Sequence, residues 1–404
     1  MRGRAAARPQ PAPEAKPSSR RPDVFLRSRW VDPPEGVEEL DSARLAPGFR
    51  AAAGACGLKG GGRTDLGLIA ADEEVGSAIL LTRNAFAAAP VRVCREECEA
   101  DSIQAAVVNS GNANAATGEQ GLRDARAMRG RAAEELGLAA DRVAIAETGV
   151  IGVPLELEPL LAGISRLGGE LSPTAGAEFA EAIMTTDRWP KLCAVRAEGV
   201  TVSAQAKGGG MIQPGLATAL CFVQTDAQVD DLQEALHSAA GSSLERITVD
   251  GQMSTNDTIL LQASGAAGRP LPPGLLEAVM LQLALEIVSD GEGATRVARV
   301  EVRQAADAEE AEGVARAIAN SALVKTALYG RDSNWGRIAQ AAGMALAGEP
   351  LPELGADAID AAELGGESDE AEIAVALGRG EDSAHVFFCD LNYDYVRINA
   401  EYTT

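Results

Sequence analysis

Strand-like and helical apolar patterns alternate along this chain, and no repeat of fixed period orders them. Strand-like runs are Ile103 to Asn109, Val200 to Ala206, Ala217 to Gln224, Thr258 to Ala263, Val386 to Cys389 and Tyr393 to Ala400. Helical spacing runs from Leu122 to Leu136 around Met128, and again through Leu275, Leu276, Val279, Leu283 and Ile287 behind Pro272 and Pro273. Asn334 can N-cap a third helix, ending near Gly348. Alternation without a strict βαβ rhythm favours an α/β or α+β layered fold. Its core has to be built from Ala, Val, Leu and Ile, because only 3% of the 404 residues are aromatic. Glycine clusters such as 60–62 and 208–210 mark tight turns and places where backbone approaches a ligand.

The ends of the chain differ from its middle. Residues 1–24 are rich in Arg, Ala and Pro and lack periodicity, the composition of a disordered basic tail. Their prolines work against the amphipathic helix of an organelle transit peptide. The stretch from Leu351 to Glu381 is acidic and rich in Gly and Ala, and is expected to hold exposed loops of a second domain. A net charge of −23 argues against nucleic acid as a partner, since phosphate binding needs a basic surface. No run approaches the roughly 20 apolar residues of a membrane span, and no apolar h-region of a secretory signal is present. The expected compartment is a bacterial-type cytoplasm, with the mitochondrial matrix as the second candidate. The six cysteines are spread through the chain and read as reduced thiols; Cys94 and Cys98 form one isolated C-x3-C pair with no nearby histidine, which does not make a zinc site.

Elimination narrows the chemistry. The chain has two histidines: His237 falls in a helical pattern and His385 before a strand, and both read as structural. A Ser-His-Asp triad or a histidine metal cage is therefore poorly supported. Neither a G-x-x-x-x-G-K-[ST] loop nor a strand-to-helix G-x-G-x-x-G is present. Nucleophilic catalysis without histidine is available to a Thr, Ser or Cys at a chain N-terminus, which uses its own α-amine as base. That amine has a reference pKa of about 7.7 to 8.0. The segment Lys207 to Leu220, KGGGMIQPGLATAL, suits a cut that would create such a terminus. Its glycines and Pro214-Gly215 let the backbone bend before an apolar strand, and the Thr218 hydroxyl could attack the Ala217 carbonyl. Spacing alone leaves a structural threonine in a strand as the competing reading.

The same segment resembles the self-cleavage region of the ornithine acetyltransferase (ArgJ) family of arginine biosynthesis, which typically reads close to AKGSGMIxPNMATML. Further matches follow in order: PGFRAAAGACGLK (Pro47 to Lys59), TRNAFAAAPV (Thr82 to Val91), VVNSGNANAATGEQG (Val107 to Gly121), TGVIGVP (Thr148 to Pro154), AIMTTD (Ala182 to Asp187), RITVDGQMSTNDT (Arg246 to Thr258), SDGEGATR (Ser289 to Arg296), ANSALVKTALYGRDSNWGRI (Ala319 to Ile338) and CDLNYDYVRINAEYTT (Cys389 to Thr404). The resemblance runs from about Pro47 to the C-terminus. It implies a four-layer αββα sandwich of the ArgJ/DmpA type, here residues 25–282, with a smaller C-terminal α+β domain, residues 283–404. It implies Thr218 as nucleophile, Ala217–Thr218 as the cut bond, and Thr148 and Gly149 as an oxyanion hole made by a hydroxyl and a backbone N–H. Thr185, Lys207, Glu292, Asn399 and Thr404 match the family's substrate-binding positions. Their types suit a charged amino acid: Lys207 can meet a carboxylate and Glu292 the ammonium of ornithine. Asn112 and Asn114 are expected to shape an active-site loop. The chain departs from the family pattern at Gly209 for Ser, Gly215 for Asn and Ala219 for Met.

The resulting expectation is acetyl transfer through an acetyl-Thr218 ester, from N2-acetylornithine to glutamate, with no metal or organic cofactor and with acetyl-CoA as a further candidate donor. The resemblance also implies an assembly of two α and two β chains produced by the cut. Two rivals stand beside this expectation: an N-terminal-nucleophile aminopeptidase or amidase that passes the acyl group to water, and an uncleaved binding protein without catalysis.

Overall fold

The computed structural model describes residues 25–213, 219–349 and 355–401. The tail 1–24, the bond Ala217–Thr218 and Thr404 lie outside these residues. Among the described residues the chain is a mixed α/β protein with three sheets. A six-stranded sheet runs in the order Glu38–Glu39, Lys191–Ala197, Val200–Lys207, Leu220–Thr225, Thr258–Ala263, Gly76–Leu81. A four-stranded sheet contains Phe49–Gly54, Leu66–Ala71, Ala105–Asn112 and Val143–Val150. A five-stranded sheet places Asp382–Cys389, Val297–Ala305 and Glu370–Ala376 between the short edges Ile247–Thr248 and Ile359–Asp360.

The middle of the six-stranded sheet explains the layering. Leu220–Thr225 and Thr258–Ala263 pair in parallel, Thr258 opposite Leu220, and both are buried throughout. Strands buried on both faces need apolar side chains on both. Leu220, Phe222 and Leu260 point into a core shared with the four-stranded sheet and the helices Gly118–Leu136 and Leu157–Gly168. Cys221, Val223, Ile259 and Leu261 point the other way, into a second core with the helices Leu232–Ser242 and Leu275–Ser289. A period of two along each strand thus feeds two separate cores. The helix Leu275–Ser289 is apolar almost all round, as a helix packed on several sides must be. The position between residues 282 and 283 lies in its middle turns.

Strand Asp382–Cys389 joins the second core to a third. Its Phe387 and Cys389 face the second, while Val386 and Phe388 face the third, which the helices Ala308–Asn320, Ala322–Tyr329 and Trp335–Ala345 cover. Among the described residues no helix is long and apolar enough to cross a membrane.

Three local expectations are corrected. The run Tyr393 to Ala400 is a helix, Tyr393–Glu401, rather than a strand. Its β-branched and aromatic residues suggest a strand, but such propensity is weak. The Asn392 carboxamide oxygen decides the matter by accepting from Asp394 N (2.9 Å) and Tyr395 N (3.4 Å), which caps a first turn. The acidic stretch after residue 354 is only partly loop. It supplies Ile359–Asp360 and Glu370–Ala376, with Leu364, Ala371, Ile373 and Val375 buried. The alternation in EAEIAVA puts acids on one face and apolar residues on the other, so its composition looks polar while its pattern is that of a strand. Asn334 occupies the N-cap position of Trp335–Ala345, but its side chain donates to Asp332 Oδ2 (3.1 Å) instead of capping.

Candidate active site

One cavity of about 190 Å³ opens where the ends of several strands meet. Its wall contains Thr148, Gly149, Thr185, Lys207, Glu292 and Asn399. Six positions scattered from 148 to 399 in the sequence therefore come together. Ala219, the residue after Thr218, is also in the wall.

The Thr148–Gly149 corner is the best-defended part of the site. It ends strand Val143–Val150, which pairs in parallel with Ala105–Asn112 and loses register at Gly111/Asn112. Gly149 has φ +133°, and a Cβ there would sit 2.3 Å from the Gly111 carbonyl carbon and 2.5 Å from Asn112 N. Only glycine fits such an approach. Asparagines fasten the corner from both sides. Asn256 Nδ2 donates to Ala113 O (2.6 Å) and Glu147 O (2.8 Å). Asn114, held at φ +46°, donates through Nδ2 to Glu147 Oε1 (3.0 Å) and Gly121 O (2.9 Å). Asn112 Nδ2 donates to Val153 O (3.0 Å), and its Oδ1 accepts from Asn114 N (2.8 Å). Burial pushes the Glu147 carboxyl up to about 8.

Thr185 and Lys207 hang on a single carboxylate. Asp187 Oδ2 accepts from Thr185 N (2.9 Å), and Oδ1 accepts from Gly208 N (2.7 Å) and Lys191 Nζ (2.7 Å). Lys191 Nζ also donates to Asp290 Oδ2 (2.6 Å), and Arg188 Nε donates to Asp290 Oδ1 (2.7 Å). Burial works against the charge on Asp187, but the ammonium groups of Lys191 and Lys207 outweigh it and hold the carboxyl below its usual range. Lys207 is buried, and its Nζ donates to Thr148 Oγ1 at 3.4 Å. Burial, together with the nearby Lys191 ammonium, lowers its pKa against the pull of the Asp187, Asp257 and Glu292 carboxylates.

The segment that leads toward Thr218 is clamped residue by residue. Glu292 N donates to Gly209 O (2.8 Å), Met211 N and Ile212 N donate to the Asp250 carboxylate (2.6 and 2.9 Å), and Val249 N donates to Ile212 O (2.8 Å). Met211 is held at φ +57°. A Cβ on Gly210 would come within 2.6 Å of the Glu292 carboxyl, so this glycine makes room for that side chain. Asn399 Nδ2 donates to Glu292 Oε2 (2.7 Å) from the C-terminal helix. On the same helix burial pushes the Tyr395 hydroxyl up to about 12.

Asp187, Asp250, Asp257 and Tyr395 are site residues to which sequence reasoning assigned no part. All four lie inside the matched segments, and a polar side chain within a Gly-, Asn- or Thr-rich loop is the signal that could have found them. His237 is exposed on its helix, and His385 is half-buried with its ring edge-on to Phe387 at 5.1 Å; neither lines the cavity.

A small cavity with a buried lysine, a threonine hydroxyl beside a strained glycine, and carboxylates in its wall is suited to a small charged molecule. Comparison with known proteins makes this specific. A model of the ArgJ family matches residues 50–404. The arginine biosynthesis bifunctional protein ArgJ of Symbiobacterium thermophilum is 44% identical, over 91% of this chain and 100% of its own length. That of Thermus thermophilus is 45% identical, over 90% and 100%. The crystal structure of ornithine acetyltransferase complexed with ornithine from Mycobacterium tuberculosis is 36% identical over 45% of this chain and 100% of that chain, with a TM-score of 0.43. The chain belongs to the ArgJ family, and it is an acyltransferase of arginine biosynthesis.

Proposed function

We propose that the protein cuts itself between Ala217 and Thr218 and uses the freed Thr218 to carry an acetyl group from N2-acetylornithine to glutamate. The observation that carries this reading is the convergence of Thr148, Gly149, Thr185, Lys207, Glu292 and Asn399 on one cavity whose wall includes Ala219. The Thr218 α-amine takes the proton from Oγ as the hydroxyl attacks the amide carbonyl. Thr148 Oγ1 and the Gly149 N–H meet the developing oxyanion, a contribution that typically amounts to about 10²- to 10³-fold in rate per donor. Lys207 binds a substrate carboxylate as a point charge. Glu292, steadied by Asn399, binds the side-chain ammonium of ornithine. Thr404, outside the described residues, is a further candidate for substrate binding. Both amino acids use it in turn, so no group beyond the threonine has to carry the acetyl, and acetyl-CoA is a second candidate donor for the same ester.

The alternation of Leu220 and Phe222 against Cys221 and Val223 supports a four-layer αββα arrangement for residues 25–282. The third core supports a smaller C-terminal α+β unit over residues 283–404. The cut chains, 1–217 and 218–404, stay associated through these cores, in an assembly of two α and two β chains in the cytoplasm. A denaturing gel with intact-mass measurement tests the reading. Two chains are expected from the unaltered protein and one from Thr218→Ala; a single active chain from both refutes it.

A further inference from the structure

Moving an acetyl group between two amino acids also moves a proton. The acceptor enters as an ammonium ion and ends as an amide, while the donor enters as an amide and leaves as an ammonium ion. When transfer goes through an ester, the two amines are never in the site together. Between the two steps that proton goes either to water or to a group in the site.

Asp257 has the placement for this task. It lines the cavity, yet only 3% of the residue is exposed, and among the described residues its Oδ2 has no hydrogen-bond partner. It immediately precedes strand Thr258–Ala263, and Thr258 N donates to Ala219 O (3.0 Å). The parallel register therefore sets Asp257 beside the residue that follows Thr218. The other carboxyls near the site are occupied or set back. Asp250 accepts from Met211, Ile212 and Gln252, and Glu292 accepts from Asn399. Asp187 holds Thr185, Gly208 and Lys191, and Glu147 does not line the cavity. The groups that face Asp257 are the Ser254 hydroxyl from the preceding loop and the Lys207 ammonium from the neighbouring strand. Lys207 in turn faces Asp187, Lys191 and Glu292.

We propose that Asp257 stores the transferred proton between the two half-reactions, with Lys207 as the counter-charge that steadies its carboxylate while the proton is away. The inference rests on the acetyl-Thr218 reading. In the first half the donor C–N bond breaks and the C–Oγ bond forms. The Oγ proton and the Asp257 proton both end on the leaving nitrogen, which departs as an ammonium ion. In the second half the acceptor ammonium first gives up one proton, the free amine attacks the ester carbonyl, and a second proton is lost as the amide forms. One returns to Oγ as the ester C–O bond breaks, and the other returns to Asp257. Burial pushes the Asp257 carboxyl well above the usual carboxylate range, so the acid is the resting form. A donor in the resting enzyme that becomes an acceptor in the acetyl-enzyme is what the two halves require.

The test uses two acetyl donors that differ in the proton they need. 4-Nitrophenyl acetate acetylates Thr218 with departure of a phenolate that takes no proton from Asp257, whereas N-acetylornithine requires one. Asp257→Asn keeps the size and neutrality of the resting acid, so two chains and an unchanged melting temperature are expected. Its burst of nitrophenolate should match that of the unaltered protein, while exchange from N-acetylornithine to glutamate should fall about 10²- to 10⁴-fold. Asp257→Glu restores a titratable carboxyl and should recover exchange in part, with a displaced pH profile. Undiminished exchange in Asp257→Asn overturns the proposal. Equal loss of burst and exchange also overturns it, by assigning the residue a structural role. If the unaltered protein gives neither a burst nor an acetylated chain, the ester itself is refuted, which is a distinct result.

Discussion

Two lysines are buried in the six-stranded sheet at the same end of two paired strands, and they live in opposite surroundings. Lys191 begins its strand opposite Ala206, and Lys207 ends the next. The Lys191 ammonium lies between Asp187 and Asp290, at 2.7 and 2.6 Å. Burial lowers its pKa, but these two carboxylates more than reverse that. Among the described residues the Lys207 ammonium has one hydrogen-bond partner, the Thr148 hydroxyl at 3.4 Å, and its pKa ends below the ordinary value. A buried charge with every partner in place is scaffold. One left short of partners is waiting for a ligand that supplies them.

The sharpest way to break this comparison is to neutralise each lysine. Lys191→Met removes the ammonium that joins Asp187 to Asp290, and leaves Asp290 with Arg188 alone. Removing one partner of a buried ion cluster costs about 3–5 kcal/mol, so denaturation should show a large loss of stability, with loss of activity following it. A stable, inactive Lys191→Met would dissolve the distinction. Next in size is Gly149→Ala. The new Cβ collides with the backbone of Gly111 and Asn112, displacing an oxyanion donor, and kcat should fall about 10²- to 10³-fold while the fold survives. Lys207→Met should be gentler on rate and neutral on stability. It forfeits a charged hydrogen bond to substrate worth about 1.5–3 kcal/mol, to be read as a raised KM for both amino acids with an unchanged or higher melting temperature.

The smallest effect concerns a residue outside the cavity. Burial lowers the His385 pKa from 6.5 to about 4. The unfolded chain therefore takes up this proton at a higher pH than the folded one does. The stability it contributes is complete above pH 6.5 and declines as pH falls toward 4. His385→Gln should flatten the difference in melting temperature over that window and leave acetyl transfer unchanged. An equal slope in both proteins would contradict the assignment.

How much was legible follows from what each signal encodes. Thr258–Ala263 and Val200–Lys207 were readable because each is a short run that opens on β-branched residues, Thr258-Ile259 and Val200-Thr201-Val202. Tyr393–Glu401 was not, because a capping asparagine outweighed the β-type residues of its interior. Glu370–Ala376 hid behind its own acidic face. At the site, Thr148, Lys207 and Glu292 carry their chemistry in ordered motifs. Asp187 reaches the backbone N–H of Thr185 locally, but its contact with Gly208, 21 residues on, depends on three-dimensional approach. Asp257 is distinguished by having no partner for Oδ2 among the described residues, a property of the fold rather than of its motif.

Whether Thr218 carries the acetyl group is decided by intact-mass measurement after mixing with N-acetylornithine alone. The chain beginning at Thr218 should gain one acetyl group, lose it on addition of glutamate, and give parallel double-reciprocal lines in steady state. An unmodified chain together with intersecting lines would mean direct transfer between two bound amino acids, and would contradict the account.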